Sequence, residues 1–442
     1  MRNCLTLTFC LLCLICHTAG IQAQEQWPQF RGPNGDGHAE TGSQIATEWS
    51  EQKNVTWKMA IEGEGFSSPV ISGDQIWLTT AIVEPADQAT IDKKLAEVPN
   101  PRGIEIVGKL HLKAQCFSLK SGKLLHNVTV FEIDDPKPKH AQNSFASPTP
   151  SLNGHQLFVH FGSYGTAAID TQTAEIIWSN QSQSVAHQNG PGSSPVLWKD
   201  FLVAHYDGMD QQYIAAFDTR NGQLAWKTMR TGSMDPKEEF KKAYCSPQIV
   251  EVQGKGVVIS PAANWVYGYD AETGTELWKA EYGQLGFSTV PKPIVGHGMA
   301  YICTSFMKSK LLAVKYAGSG NVTQSNIVWT SERQVPKKTS LLLVGKELYF
   351  VSDNGIATCV DALNGEEIWR ARLTGNYAAS PLYANGMIYF FNQKGLCTVV
   401  EAGREYKEVQ KNQLDEGFMA SAAVSGDHLI LRTEGSLYRI DP

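Results

Sequence analysis

This sequence predicts an all-β protein, an eight-bladed β-propeller of four-stranded antiparallel blades, and three observations carry that prediction. First, one nine-residue template recurs at Asp218–Trp226, Asp270–Trp278 and Asp361–Trp369, with glycine at its fifth position. A fourth copy, Asp170–Trp178, has Ala174 there instead. Second, each copy closes a run of four short β-branched and aromatic segments punctuated by Gly, Asn and Asp, the pattern of an antiparallel meander. Third, the last unit lacks its fourth strand and tryptophan, while Asn54-Val55-Thr56-Trp57-Lys58 stands ahead of the first unit with no meander of its own. This N-terminal strand is expected to complete the last blade and close the ring, which removes exposed sheet edges.

Each unit can be measured from a Ser-Pro or its equivalent, at Pro69, Pro148, Pro195, Pro247, Val290, Leu341, Pro381 and Ala423. Most intervals are near the ~40–50 residues of a propeller blade. The longest, from Pro69 to Pro148, holds an insertion at about 83–109 with a charged stretch, Asp92 to Glu97, that reads as helical. Within the template, Asn221-Gly222 and Asn364-Gly365 suit a hairpin whose two central residues need positive φ. The trailing Trp178, Trp226, Trp278, Trp329 and Trp369, with Trp57 for the last blade, lie on fourth strands where a flat ring covers apolar surface. Blade one departs from the template with Ser118 and His126.

Residues 54–442 are therefore assigned to the propeller, 24–53 to an N-terminal extension, and 1–23 to a signal peptide. Arg2, an apolar stretch from Leu5 to Ile15 and small residues up to Ala23 support that last assignment. Export to the periplasm or the extracellular space follows as an expectation. Of nine cysteines, four fall in the leader; Cys116, Cys245, Cys303, Cys359 and Cys397 remain, on apolar strands where cysteine acts as a small hydrophobe. No residue before Cys13 or Cys16 suits lipid modification. A net charge of −6 gives no basic footprint for nucleic acid. Beyond the leader no stretch is long and apolar enough to span a bilayer.

Loops entering the innermost strands are expected to converge near the propeller axis. They carry Phe66, Phe145, Tyr244, Phe287, Tyr377 and Phe418, which either stack against a ligand or plug the spaces between blades. Two of these loops also echo each other in His140 and Asn143, and in His187 and Asn189. The paired histidines are candidates for a proton or metal, or else hydrogen-bonded loop residues. The same face should carry Trp265 and the loop of Asp207 and Asp210, two carboxylates that either help to hold calcium or occupy a solvated turn. No nucleophile elbow, zincin helix or phosphate loop is present.

The unit Ala216-x-Asp218-x-x-x-Gly222-x-x-x-Trp226 resembles the pyrroloquinoline quinone (PQQ) repeat. The opening Trp27-Pro28-Gln29-Phe30-Arg31-Gly32-Pro33 is similar to that of secreted PQQ-like propellers of planctomycete-type bacteria. The resemblance covers essentially the whole chain after the leader and implies an eight-bladed ring whose tryptophans dock one blade onto the next. Its dehydrogenase branch implies PQQ and calcium, held beside a pair of adjacent cysteines. The sequence has no Cys-Cys pair and no Cys-x-x-Cys-His haem site. The non-catalytic branch, typified by the propeller lipoprotein of the outer-membrane barrel-assembly machinery, is the nearer match. The expectation is a monomeric binding or scaffold protein for a protein, peptide or glycan, without cofactor or bound metal. The alternative is a PQQ- and calcium-dependent oxidoreductase of alcohols or sugars.

Overall fold

The computed structural model describes residues 26–442 apart from Pro99 and Leu285. The expected signal peptide lies outside the described residues. Eight sheets follow one another around a ring, each an antiparallel meander running outward from a short inner strand. The inner strands are Val70–Ser72, Ser151–Asn153, Val196–Trp198, Gln248–Val252, Ile294–Gly296, Leu342–Val344, Leu382–Ala384 and Ala423–Ser425. The last blade takes its outer strand from Val55–Ala60, which pairs antiparallel with Ser436–Ile440. The ring is closed as the sequence predicts.

Three unit boundaries need correction. The residue immediately before the inner strand is Pro150 rather than Pro148 in blade two, and Pro293 rather than Val290 in blade five. In blade eight it is Ala422, since Ala423 already begins the strand. In each case a neighbouring proline or small residue mimicked the anchor. The blade-one insertion is shorter than 83–109, because the strands flanking it run on as Gln75–Pro85 and Val107–Ser118. Its helix, Gln88–Ala96, begins earlier than predicted, where Asp87 accepts the backbone N–H of Thr90 as an N-cap.

The repeated Asp-x-x-x-Gly segment also differs from a two-residue hairpin. The N–H of Gly222 donates to the Asp218 carbonyl four residues back, and the Asp218 carboxylate accepts the N–H of Arg220. Gly222, Gly274 and Gly365 have positive φ, whereas Asn221 and Asn364 do not. An aspartate-capped turn needs only one left-handed residue. The glycine has a second reason. A Cβ on Gly222, Gly274 or Gly365 would lie 2.3–2.6 Å from the indole of Trp178, Trp226 or Trp329 in the preceding blade. The indole N–H groups of Trp57, Trp178, Trp329 and Trp369 then donate to carbonyls of the following blade. Trp278 departs, packing on Gly268 of its own blade. In blade one His126 takes the tryptophan's place and stacks on Trp77 at 5.8 Å.

The segment expected as an N-terminal extension is part of the ring. Gln26–Trp27 pairs with the inner strand of blade one. The Pro28 carbonyl accepts the N–H of Leu152, Gln248 donates to Asn34, and buried Arg31 donates to the carbonyls of Leu341 and Pro381. Lys292 of blade five donates to the Phe30 carbonyl, so one short stretch bonds to blades one, two, four, five, six and seven, filling the channel between the inner strands. Ser50 then bridges to Gln413 on the outer strand of blade seven.

Candidate functional site

Two residues before each inner strand stands a hydroxyl, in seven of eight blades: Ser68, Thr149, Ser194, Ser246, Ser340, Ser380 and Ser421. They are linked around the axis. The N–H of Ser68 donates to the Thr149 hydroxyl (2.9 Å), that of Thr149 to Ser194 (2.9 Å), and that of Ser194 to Ser246 (2.8 Å). The series resumes with Lys292 to Ser340, Ser340 to Ser380 and Ser380 to Ser421, and closes with Ser421 to Ser68. The missing hydroxyl is in blade five, where Lys292 holds the equivalent place. Lys292 is buried, and burial together with nearby Arg31 pushes its amine down to about 7, opposed by Asp36.

This ring lies in the wall of a cavity of about 490 Å3 at the channel mouth. Phe30, from the plugging segment, closes it from within the channel. Phe66, Tyr244 and Phe306 supply aromatic wall, and Gln142, Asn143 and Asn189 supply amides. Its charged lining is Lys337, Lys338 and Asp353, with His140 beside them. The Asp353 carboxylate accepts the backbone N–H groups of both lysines, at 2.9 and 3.2 Å, so it orders the loop that carries them. Burial is the main effect lowering the His140 pKa, helped by Lys139, Lys338 and Lys242 and opposed by Glu105.

The structure brings together Phe66, His140, Asn143, Asn189 and Tyr244 from the sequence-derived set. Asn143 donates to the carbonyls of Asn189 and Pro191 and so ties two adjacent entry loops together. The others lie elsewhere. Phe145 is buried against Tyr164, Tyr377 donates to Thr374, and Phe418 packs edge-on to Phe391. Phe287 stacks on Phe240, and Trp265 donates to Ser233. These rings fill gaps between and beneath blades.

His187 is separated from His140 and lines a second groove, of about 290 Å3, beside the insertion. Its ring nitrogens have no hydrogen-bond partner among the described residues, and burial is the main effect pushing its pKa down to about 4. Asp207 is neither exposed nor paired with Asp210. It forms a fully buried bidentate ion pair with Arg230, at 3.0 and 2.8 Å. Asp210 is exposed and accepts the N–H of Ala186. Among the described residues no three His, Cys, Asp or Glu side chains converge as a metal site. The five cysteines are free and buried.

The sequence reading missed Phe30, Phe306, Lys337, Lys338 and the hydroxyl ring. The ring hydroxyl is the serine of a Ser-Pro in blades one, three, four and seven, a pattern that marks the start of a blade without showing what the hydroxyl faces.

The family model described as outer membrane protein assembly factor BamB matches residues 113–229 and 210–442. The chain belongs to this family. A curated relative, the quinohemoprotein alcohol dehydrogenase ADH-IIG of Pseudomonas putida, is 27% identical over 241 residues, covering 47% of this chain and 29% of the relative. Among solved structures, BamB from Moraxella catarrhalis aligns at a TM-score of 0.56 and 11% identity, covering 88% of this chain and 99% of that one. A europium-containing methanol dehydrogenase aligns at 0.66 and 9% identity, covering 95% and 98%. At these identities the likeness concerns the fold, and that fold serves both an assembly factor and a dehydrogenase. No helix among the described residues is long and apolar enough to cross a membrane.

Proposed function

We propose that this PQQ-like propeller is an exported, non-catalytic binding protein that takes a protein, peptide or glycan segment into the cavity at its channel mouth. One observation carries the reading: five entry-loop residues and seven inner-strand hydroxyls converge on a single concave site. Its volume lies within the roughly 300–1,000 Å3 usual for ligand sites. The donor chemistry supports binding over quinone catalysis. A calcium ion takes about 6–8 oxygen ligands, several of them carboxylates. The cavity lining offers one carboxylate, Asp353, already engaged by two backbone N–H groups. These residues do not fit a calcium-bound quinone.

The test is an array of peptides and oligosaccharides probed with the wild-type protein and with Ala378→Trp, which puts an indole in the cavity lining. Binding that the tryptophan abolishes, with unchanged thermal unfolding, supports the reading. The second reading, a PQQ-dependent oxidoreductase, is favoured by the dehydrogenase relative. PQQ titrated with and without calcium separates the two, and micromolar quinone binding with dye-linked alcohol oxidation overturns the proposal.

A further inference from the structure

The direction of the inter-blade hydrogen bonds determines what the cavity can offer. Each of the seven ring hydroxyls accepts a backbone N–H on its oxygen. Among the described residues none of them donates its own hydrogen to an acceptor, and all seven side chains are more than nine-tenths buried. A hydroxyl has one hydrogen to give. The ring is therefore a circle of O–H donors, oriented by the scaffold, with no acceptor supplied by the described residues.

The charges point the same way. Lys337 and Lys338 reach the cavity with no carboxylate partner among the described residues: Lys338 donates to the amide oxygen of Gln142, and the Lys337 amine lies over the Phe306 ring. Lys242 is buried beside the entry loops and donates to Gln188. Below the ring, Lys292 and Arg31 add two more basic groups against Asp36. Asp353 is the sole acid of the lining. A protein of net charge −6 thus sets two lysines in the lining of one donor-lined cavity and buries three more basic groups near it.

We infer that the ligand is an acidic oligosaccharide, its carboxylate or sulfate oxygens accepting from the hydroxyl ring and from Lys337 and Lys338, with a sugar face against Phe30 or Tyr244. An acidic peptide shares the charge. However, the backbone N–H groups two residues before seven of the inner strands are spent on the next blade's hydroxyls, so they are not open to the carbonyls of a peptide. The inference rests on the binding reading above and adds the class of ligand.

Calorimetry on the mature protein tests it with trigalacturonate, a sulfated disaccharide, a neutral galactose trimer and triglutamate. One or both acidic sugars should bind at least about tenfold more tightly than the neutral trimer, as charge-assisted hydrogen bonds require. The sugar that wins distinguishes carboxylate from sulfate. Raising the salt should weaken that binding. Lys337→Gln/Lys338→Gln should bring it to the neutral level while keeping the backbone contacts to Asp353. Equal binding of acidic and neutral sugars, unaffected by the lysine variant, overturns the anionic class but leaves the cavity a binding site. Triglutamate bound in preference to every sugar overturns the sugar assignment. If no probe binds and Ala378→Trp changes nothing on the array, the underlying reading fails as well.

Discussion

Ala174 adopts φ +62° where the other copies of its template have glycine. A left-handed conformation costs a residue with a Cβ about 1–2 kcal/mol. Ala174→Gly should recover that, less the extra chain entropy of glycine, for a net gain of about 0.5–1 kcal/mol in urea unfolding. Gly222→Ala should act in reverse. It meets the same torsional cost and places a Cβ 2.3 Å from the Trp178 ring, so a loss of at least about 2 kcal/mol is expected. A second residue-scale prediction concerns acid. Burial holds His160 at about 3 and His187 at about 4, and His205 well below its ordinary value. Their folded pKa values are depressed, so the unfolded chain binds more protons between those values and about 6.5. The histidines' contribution to stability is then complete above about pH 6.5 and is lost as pH drops toward 4. His187→Phe, which keeps a ring beside Tyr244, should flatten that limb by up to about 1.4 kcal/mol per pH unit. An unchanged slope from pH 6.5 to 4 would show that His187 is already protonated in the fold.

The inner strand, with the turn that enters it, is the element in which architecture and site coincide. Ser-Pro was legible as the start of a blade because it recurs. Its role in joining blades was not, since that depends on a neighbour about 40–50 residues away, one blade further round the ring. Ser194→Ala removes the acceptor for the Thr149 N–H in a buried setting and should cost about 1–3 kcal/mol, whereas Ser194→Thr should restore most of it. The plugging segment from Trp27 to Asp36 was still less legible. It bonds to single carbonyls, amides and one amine of six blades and has no periodicity of its own. Its burial of Lys292 has a consequence for alkaline stability. The folded amine releases its proton near 7 and the unfolded one near 10.5, so in that window the unfolded state binds more protons. Stability should therefore rise with pH from about 7 upward, with Lys242 contributing from about 8. Lys292→Met should reduce the rise over pH 7–9 in chemical denaturation curves, and an identical slope would sink the assignment.

At the scale of the whole molecule, the ring was readable because its closure left a deficit at one end of the sequence and a surplus strand at the other. The site was only half readable. Entry-loop aromatics such as Phe66 and Phe145 look alike in sequence. Whether a ring faces the axis or the next blade depends on loop geometry that a propensity pattern does not encode. Closure itself rests on more than the strand Val55–Ala60. The largest hydrophobic cluster joins Trp27, Trp49 and Trp57 to residues of blades one, seven and eight, so the seam of the ring is also a principal core. Two truncations separate these contributions. A chain lacking residues 26–50 keeps the closing strand but loses Trp27 and Trp49, each worth about 3–5 kcal/mol by truncation. It should still unfold in one cooperative transition, at a lower temperature. A chain lacking 26–60 also leaves blade eight with three strands and exposes the apolar faces of Leu437 and Tyr438, both fully buried in the intact ring. It should lose the cooperative transition and expose apolar surface to a hydrophobic dye. If it melted as sharply and at the same temperature as the shorter truncation, the strand would be an ornament on a ring held together by its inter-blade contacts alone.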